Sequence, residues 1–386
     1  METQGGLFDG PAPARRPPRG AVHLGTSSWS APGWVGPFYP PGTRPKAFLA
    51  HYAREFTAVE VDSTYYRVPT LSAVEGWRER TPPEFRMCAK FPREVVHGGE
   101  GRTPDPQEVL EGDTARRVTE RFLGVLSALG ERRGPLLLQF PWFSRDAFQC
   151  LEAFLPRLDA FLGRVQGGGR IAVEVRNQEW LRPPLLELLR GHDAGLALAD
   201  LPRMEHPDTA PEGLDLRTSD FLYVRLIGDR WETERLTSSF DEVVVDRSER
   251  IVRWAEWLAP ASARATETFA FANNHFAGHG PASARALGQA LEERGVLPLR
   301  PAGAGSRREP QEARVRPNGA WRASYHPEHV GRGEPDPGSC PEGSPGTYGP
   351  PRTRGPRSRG GPPPADGRWR PSLLIPCVLS SPCFPS

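Results

Sequence analysis

The chain of 386 residues reads as an α/β protein, a TIM (β/α)8-like barrel, on three observations. Between Val22 and Arg294, eight stretches of strand character alternate with stretches of helical spacing, the order that parallel strands joined by helical crossovers require. The stretch Arg170–Trp180 puts Ile171, Val173 and Val175 on one face and Ala172, Glu174 and Arg176 on the other, so one strand faces both an apolar layer and a polar interior. Glycine and proline, 41 and 44 in all, concentrate after Leu299 and leave a segment close to the ~250 residues of one such barrel.

Val22–Ser30 is the first strand, and Phe48, Leu49, Tyr52 and Phe56 give Arg44–Phe56 helical spacing. The second strand, Ala58–Tyr66, sets Val59 and Val61 against Glu60, Asp62 and Thr64. The helix Leu71–Arg80 follows, with Ser72 and Glu75 at capping-box spacing. Phe85–Phe91 is the third strand, stopped by Pro92, and Asp113–Leu129 repeats apolar residues every three or four positions. Leu136–Pro141 is a nearly all-apolar fourth strand, as one covered on both faces should be, with a helix from Phe148 to Leu162. The Arg170–Trp180 stretch supplies the fifth strand and Leu185–Leu189 its helix. Leu196–Pro202, Phe221–Gly228 and Phe269–His275 complete the strands; Ile251–Leu258 and Ala282–Arg294 mark the last helices.

The expected organisation is a flexible arm over residues 1–20, the barrel over 21–300, and a disordered Pro/Gly/Arg-rich tail over 301–386 that cannot bury enough surface to offset its entropy. A formal charge of +2 is too small for a polyanion binder as a whole, so any nucleic-acid contact needs a local patch. Five cysteines, Cys88, Cys150, Cys340, Cys377 and Cys383, show neither disulfide nor zinc spacing, which favours a reducing cytoplasm. No signal-peptide core and no membrane-spanning stretch is seen. Within the arm, Gln4-Gly5-Gly6-Leu7-Phe8 resembles the short Gln-x-x-Leu-Phe peptide by which bacterial DNA-metabolism proteins dock on the sliding clamp, with Gln4, Leu7 and Phe8 as its contacts.

Several motifs in order resemble the DUF72, or YecE-like, family: Gly25-Thr26-Ser27-Ser28-Trp29, Phe38-Tyr39-Pro40, Val59–Tyr66, Phe85–Lys90, Leu138–Pro141, Val173–Arg176, Asp200 and Asn273–His279. The resemblance runs from Val22 to Leu297 and implies a TIM-like barrel, without a settled activity. Ser28 and Asp62 depart from the glycine and asparagine often found there, and a carboxylate at Asp62 would add negative charge to a site it lined.

Barrel enzymes carry their chemistry at the carboxyl ends of the strands. Those ends hold Glu60, Asp62, Lys90, Gln139, Glu174, Arg176, Asp200, Arg225 and Asn274. Lys90, Arg176 and Arg225 could clamp a phosphate, with Asp62, Gln139 and Asn274 as further substrate contacts. Glu60, Glu174 and Asp200 are the candidate catalytic carboxylates, one as base toward water and another as acid. This describes a hydrolase of phosphoester or nucleic-acid-related substrates. A two-carboxylate glycosidase is the third possibility. Two non-catalytic alternatives stay open: an internal salt-bridge network, with Glu174 against Lys90 and Asp200 against Arg176, and a binding module recruited to DNA through Gln4–Phe8. No metal site is assigned. A divalent metal would find only His97, His275 and His279 near the strand ends. Trp29, Trp34, Phe38, Tyr39, Tyr65, Tyr66, Trp142 and Trp180 follow strand ends and suit either a stacked ring or loop packing.

Overall fold

A computed structural model describes residues 19–98 and 103–302; the Gln4–Phe8 element and most of the expected tail lie outside the described residues. Among the described residues there are eight strands: β1 (Ala21–Thr26), β2 (Ala58–Val61), β3 (Arg86–Ala89), β4 (Leu136–Gln139), β5 (Ile171–Glu174), β6 (Gly195–Asp200), β7 (Phe221–Leu226) and β8 (Glu267–Ala272). Six form a continuous sheet in the order β1, β8, β7, β6, β5, β4, and β2 pairs with β3, all in parallel. Parallel bridges from Ser27 to Glu60, Met87 to Arg133 and Lys90 to Leu137 join the two pieces into a ring. The ring can close between β1 and β2 because residue 25 is glycine: a β-carbon there would stand 2.1 Å from the Ala58 carbonyl oxygen.

Helices α1 (Pro45–Tyr52), α2 (Leu71–Glu79), α3 (Arg93–Val96), α4 (Asp113–Leu126), α5 (Leu151–Arg164), α6 (Pro183–Gly191), α7 (Arg230–Glu234), α8 (Ser248–Ala263), α9 (Asn274–Ala277) and α10 (Gly280–Glu292) lie between and after the strands. None is long and apolar enough to cross a membrane. The start of α2 differs from the capping-box expectation: Thr70, not Ser72, caps it by accepting from the Ala73 amide at 3.2 Å.

The strands are shorter than their apolar patterns. β2 stops at Val61 because the Thr64 hydroxyl bonds the Val61 and Lys90 carbonyls, each at 2.8 Å, and turns Asp62–Tyr65 into a 3-10 segment. β8 stops at Ala272 because Asn273 caps α9, its side chain accepting from the His275 amide.

Alternation along the strands makes two compartments. Outward residues such as Val59, Val173, Leu198 and Val224 join the helix-packed core, while Ala58, Leu137, Ala172, Tyr223, Phe269 and Phe271 fill the barrel. At the amino end of the strands Glu267 closes the interior, within 3.1 Å of His23 and 2.5 Å of Arg170. Burial alone would raise the Glu267 carboxyl; His23 and Arg170 override it and hold it at about 2. The middle of the barrel is apolar, and the opposite end is charged.

Candidate functional site

The charged end is organised by Arg225, whose side chain points inward from β7 and is almost wholly buried. Its guanidinium grips Glu60 in a fork, with Nε to Oε2 and Nη2 to Oε1 both at 2.8 Å. Its Nη1 donates to Gln139 Oε1 at 2.9 Å and also to Glu174 Oε2. Glu60 is filled from other directions: Ser27 and the Tyr223 hydroxyl donate to it at 2.9 Å, and Lys90 Nζ stands 3.5 Å away.

The pairs run on to the surface. Lys90 also holds Asp62, and Arg176 Nε donates to Glu174 Oε1 at 3.0 Å. Asp62, Lys90, Glu60, Arg225, Glu174 and Arg176 thus form one chain of alternating charge in which three carboxylates balance three cations. Only its ends meet solvent, with the Asp62 side chain 33 % and the Arg176 side chain 32 % accessible against 6 % or less for the four between. Buried ions survive in such a place only when each is paired and hydrogen-bonded, as these are.

This environment separates anchors from groups free to act. Burial would raise the Glu60 carboxyl, but the Arg225 and Lys90 charges and the Arg225 and Tyr223 hydrogen bonds bring it to about 2. Glu174 is likewise lowered, with Arg225 and Arg176 overcoming burial. The Tyr223 phenol is pushed well above its ordinary value by burial and by Glu60, and stays a donor. A saturated carboxylate near 2 is a poor proton acceptor at neutral pH, so Glu60 has the surroundings of a structural anchor.

The sequence-predicted residues divide accordingly. Glu60, Asp62, Lys90, Gln139, Glu174, Arg176 and Arg225 are brought together at one end of the barrel. Asp200 is not among them. It shares the outward parity of Leu196 and Leu198, and its carboxylate receives Trp254 Nε1 at 2.7 Å and the Arg250 guanidinium, both from α8. The expected pairings Glu174 with Lys90 and Asp200 with Arg176 are replaced by Glu174 with Arg225 and Arg176, and Asp200 with Arg250. Asn274 opens α9 instead of ending β8, and its Oδ1 accepts from Trp34 Nε1 at 3.2 Å and the Gly280 amide at 2.9 Å, a loop-tying role.

Most of the aromatic residues are packing. Trp34, Tyr39 and Trp180 are buried, and Trp29 meets Trp77 edge-on. Tyr66 and Trp142 remain open, at 74 % and 52 %, and Trp231, which the sequence reading passed over, at 78 %. All three follow strand ends on the charged side. Tyr65 lies in the fields of Arg93, Arg176 and Asp62, with burial as the main cause of its raised phenol. Tyr223, Ser27 and Arg93 are the contributors that a search for charged strand ends missed; inward parity with Arg225 was the signal for Tyr223. Among the described residues, no three His, Cys, Asp or Glu are grouped as metal ligands.

Over residues 23–306 the sequence matches the family described as "Protein of unknown function DUF72". It is 34 % identical over 159 residues to the UPF0759 protein YecE of Escherichia coli (strain K12), covering 41 % of this chain and 50 % of that protein. It is 25 % identical over 169 residues to the UPF0759 protein YunF of Bacillus subtilis (strain 168), covering 43 % and 54 %. The chain therefore spans about half the length of the curated relatives it matches. The crystal structure of a DUF72 family protein from Thermotoga maritima superposes with a TM-score of 0.52 at 25 % identity, over 70 % of this chain and 99 % of that one. One from Enterococcus faecalis gives 0.52 at 19 %, over 70 % and 95 %, a likeness of fold.

Proposed function

Because the chain belongs to the DUF72 family, whose description names no activity, we propose from the geometry of the barrel mouth that it binds a small anionic ligand, a phosphate ester in class. The observation that carries this reading is the charge chain whose buried members satisfy one another while Arg176 keeps its guanidinium end partly in solvent. Arginine is suited to forked recognition of a phosphate, and the pairing of its Nε with a buried carboxylate holds it in place. Exposed Tyr66, Trp142 and Trp231 offer apolar faces for the remainder of the ligand.

A second reading, hydrolysis of the bound ester, is favoured by Asp62, which among the three carboxylates of the ion-pair network is the one with solvent access. Asp62 would take the proton from an attacking water while Arg176 holds the phosphate, and Glu60 and Glu174 would fix the cations. The water oxygen forms the new bond to phosphorus as the ester P–O bond breaks, and Asp62 returns its proton to the departing oxygen, which leaves as the alcohol.

Calorimetric titration with phenyl phosphate tests the first reading. Saturable binding is expected, weakened about tenfold or more in Arg176→Ala, since a charge-assisted contact contributes about 1.5–3 kcal/mol. Affinity untouched by that substitution would remove Arg176 from the site. For hydrolysis, Asp62→Asn should bind phenyl phosphate and fail to turn over 4-nitrophenyl phosphate; full turnover would exclude Asp62. Recruitment through Gln4, Leu7 and Phe8 is a separate proposal: sliding-clamp capture should vanish in Leu7→Ala/Phe8→Ala, and equal capture by both chains would dismiss it.

A further inference from the structure

Beside the mouth, a groove of about 390 Å³ runs between the segment joining β2 to α2 and the helices α3 and α4, lined by Arg67, Val68, Thr70, Glu94, Arg117, Val118 and Arg121. We propose that it is a separate ligand site, for a phosphomonoester that also carries free hydroxyl groups, a sugar phosphate in class.

Three features carry the inference. Arg67, Arg117 and Arg121 have neither an ion pair nor a hydrogen bond among the described residues, although arginines elsewhere on the surface are widely paired. Asp113, four residues before Arg117 on α4, is paired with Arg116. Arg117 and Arg121 stand four apart on α4, so they repel along one helix face, and an anion between them would relieve that repulsion.

Next is the charge. Three guanidiniums against the single carboxylate of Glu94 give the lining a formal +2, which a phosphomonoester of about −1.5 to −2 would neutralise. Finally, the Glu94 carboxylate lines the groove with no hydrogen-bond or ion-pair partner among the described residues. The phosphate of a doubly ionised monoester has no donor for that carboxylate, whereas a hydroxyl on the carbon skeleton of the same ligand would supply one. Val68 and Val118 give the carbon skeleton an apolar wall, and the volume lies in the range of small-ligand clefts.

The test is calorimetric titration of the full chain carrying Arg176→Ala, which removes the mouth's proposed anion contact, with ribose 5-phosphate, inorganic phosphate and ribose as probes. Ribose 5-phosphate should bind, inorganic phosphate several-fold more weakly, and ribose not measurably. Adding Arg117→Ala and Arg121→Ala, both exposed positions, should weaken ribose 5-phosphate about tenfold or more without moving the melting temperature. No saturable binding in the Arg176→Ala chain, or binding indifferent to the two α4 substitutions, overturns the site. Equal affinity for inorganic phosphate and ribose 5-phosphate overturns the role of Glu94. Binding in the unsubstituted chain that disappears with Arg176→Ala alone would assign the ligand to the mouth instead.

Discussion

Replacing Arg225 by methionine keeps much of the side-chain volume and removes the one cation that touches both buried carboxylates. Glu60 would retain Lys90, Ser27 and Tyr223, and Glu174 would retain Arg176, but the fork and the bridge to Glu174 would be lost. Removing one partner of a buried ion pair costs about 3–5 kcal/mol, and a bridging arginine belongs at the upper end. Against a total stability of about 5–15 kcal/mol, this would lower the melting temperature by about 10 °C or more. The same network predicts a pH signature. Glu60 falls from 4.5 to about 2 in the folded protein, so its stabilisation, about 3 kcal/mol, is complete above the unfolded value and is lost as pH drops through that window. In Arg225→Met the effect of burial is less opposed, so acidification should unfold the variant less steeply than the parent over the same window. Urea unfolding at several pH values measures both effects. A loss below about 1 kcal/mol at neutral pH would refute the view that Arg225 organises the barrel end.

Other outcomes follow from the same geometry. Asp200→Ala should leave ligand binding at the mouth intact and cost about 1–3 kcal/mol, because the buried Trp254 indole loses its acceptor; an intact fold with abolished binding would return Asp200 to the site. Gly25→Ala should cost about 3 kcal/mol or more in urea, given the 2.1 Å approach to Ala58; a stable variant would mean that the β1–β2 seam can open. Burial lowers His279 from 6.5 to about 4, so the folded state resists its protonation and stability should decline as pH falls through that interval. His279→Phe should flatten that part of the profile, and an unchanged slope would place the effect elsewhere.

The fold was legible because it rests on periodicity. Strands such as β2 and β5 carry the apolar parity that the helix layer requires, visible in Val59 and Val61 or Ile171 and Val173. Strand ends were less legible, since Thr64 and Asn273 terminate β2 and β8 through side-chain bonds that an apolar run does not reveal. The candidate site was found as a set of charged strand ends, but its internal order depends on parity and on partners distant in sequence. Asp200 ends β6 as Glu174 ends β5, but it shares the parity of Leu196 and Leu198, which face the helix layer. Its partners Arg250 and Trp254 come from a helix fifty or more positions further on. The arginines of the lateral groove sat within an amphipathic helix pattern, where a charged face is ordinarily solvated, and only the folded neighbours Arg67 and Glu94 set them apart.

In the proposed site the barrel mouth presents Arg176 to an anion, while Lys90, Glu60, Arg225 and Glu174 are paired below it. Anomalous diffraction from a crystal soaked in tungstate, a phosphate mimic, addresses it directly. A peak is expected within hydrogen-bonding distance of the Arg176 guanidinium, lost in Arg176→Ala with the Arg225–Glu60 fork unchanged. A mouth without tungstate in the parent crystal, or a peak that persists in the variant, would contradict it.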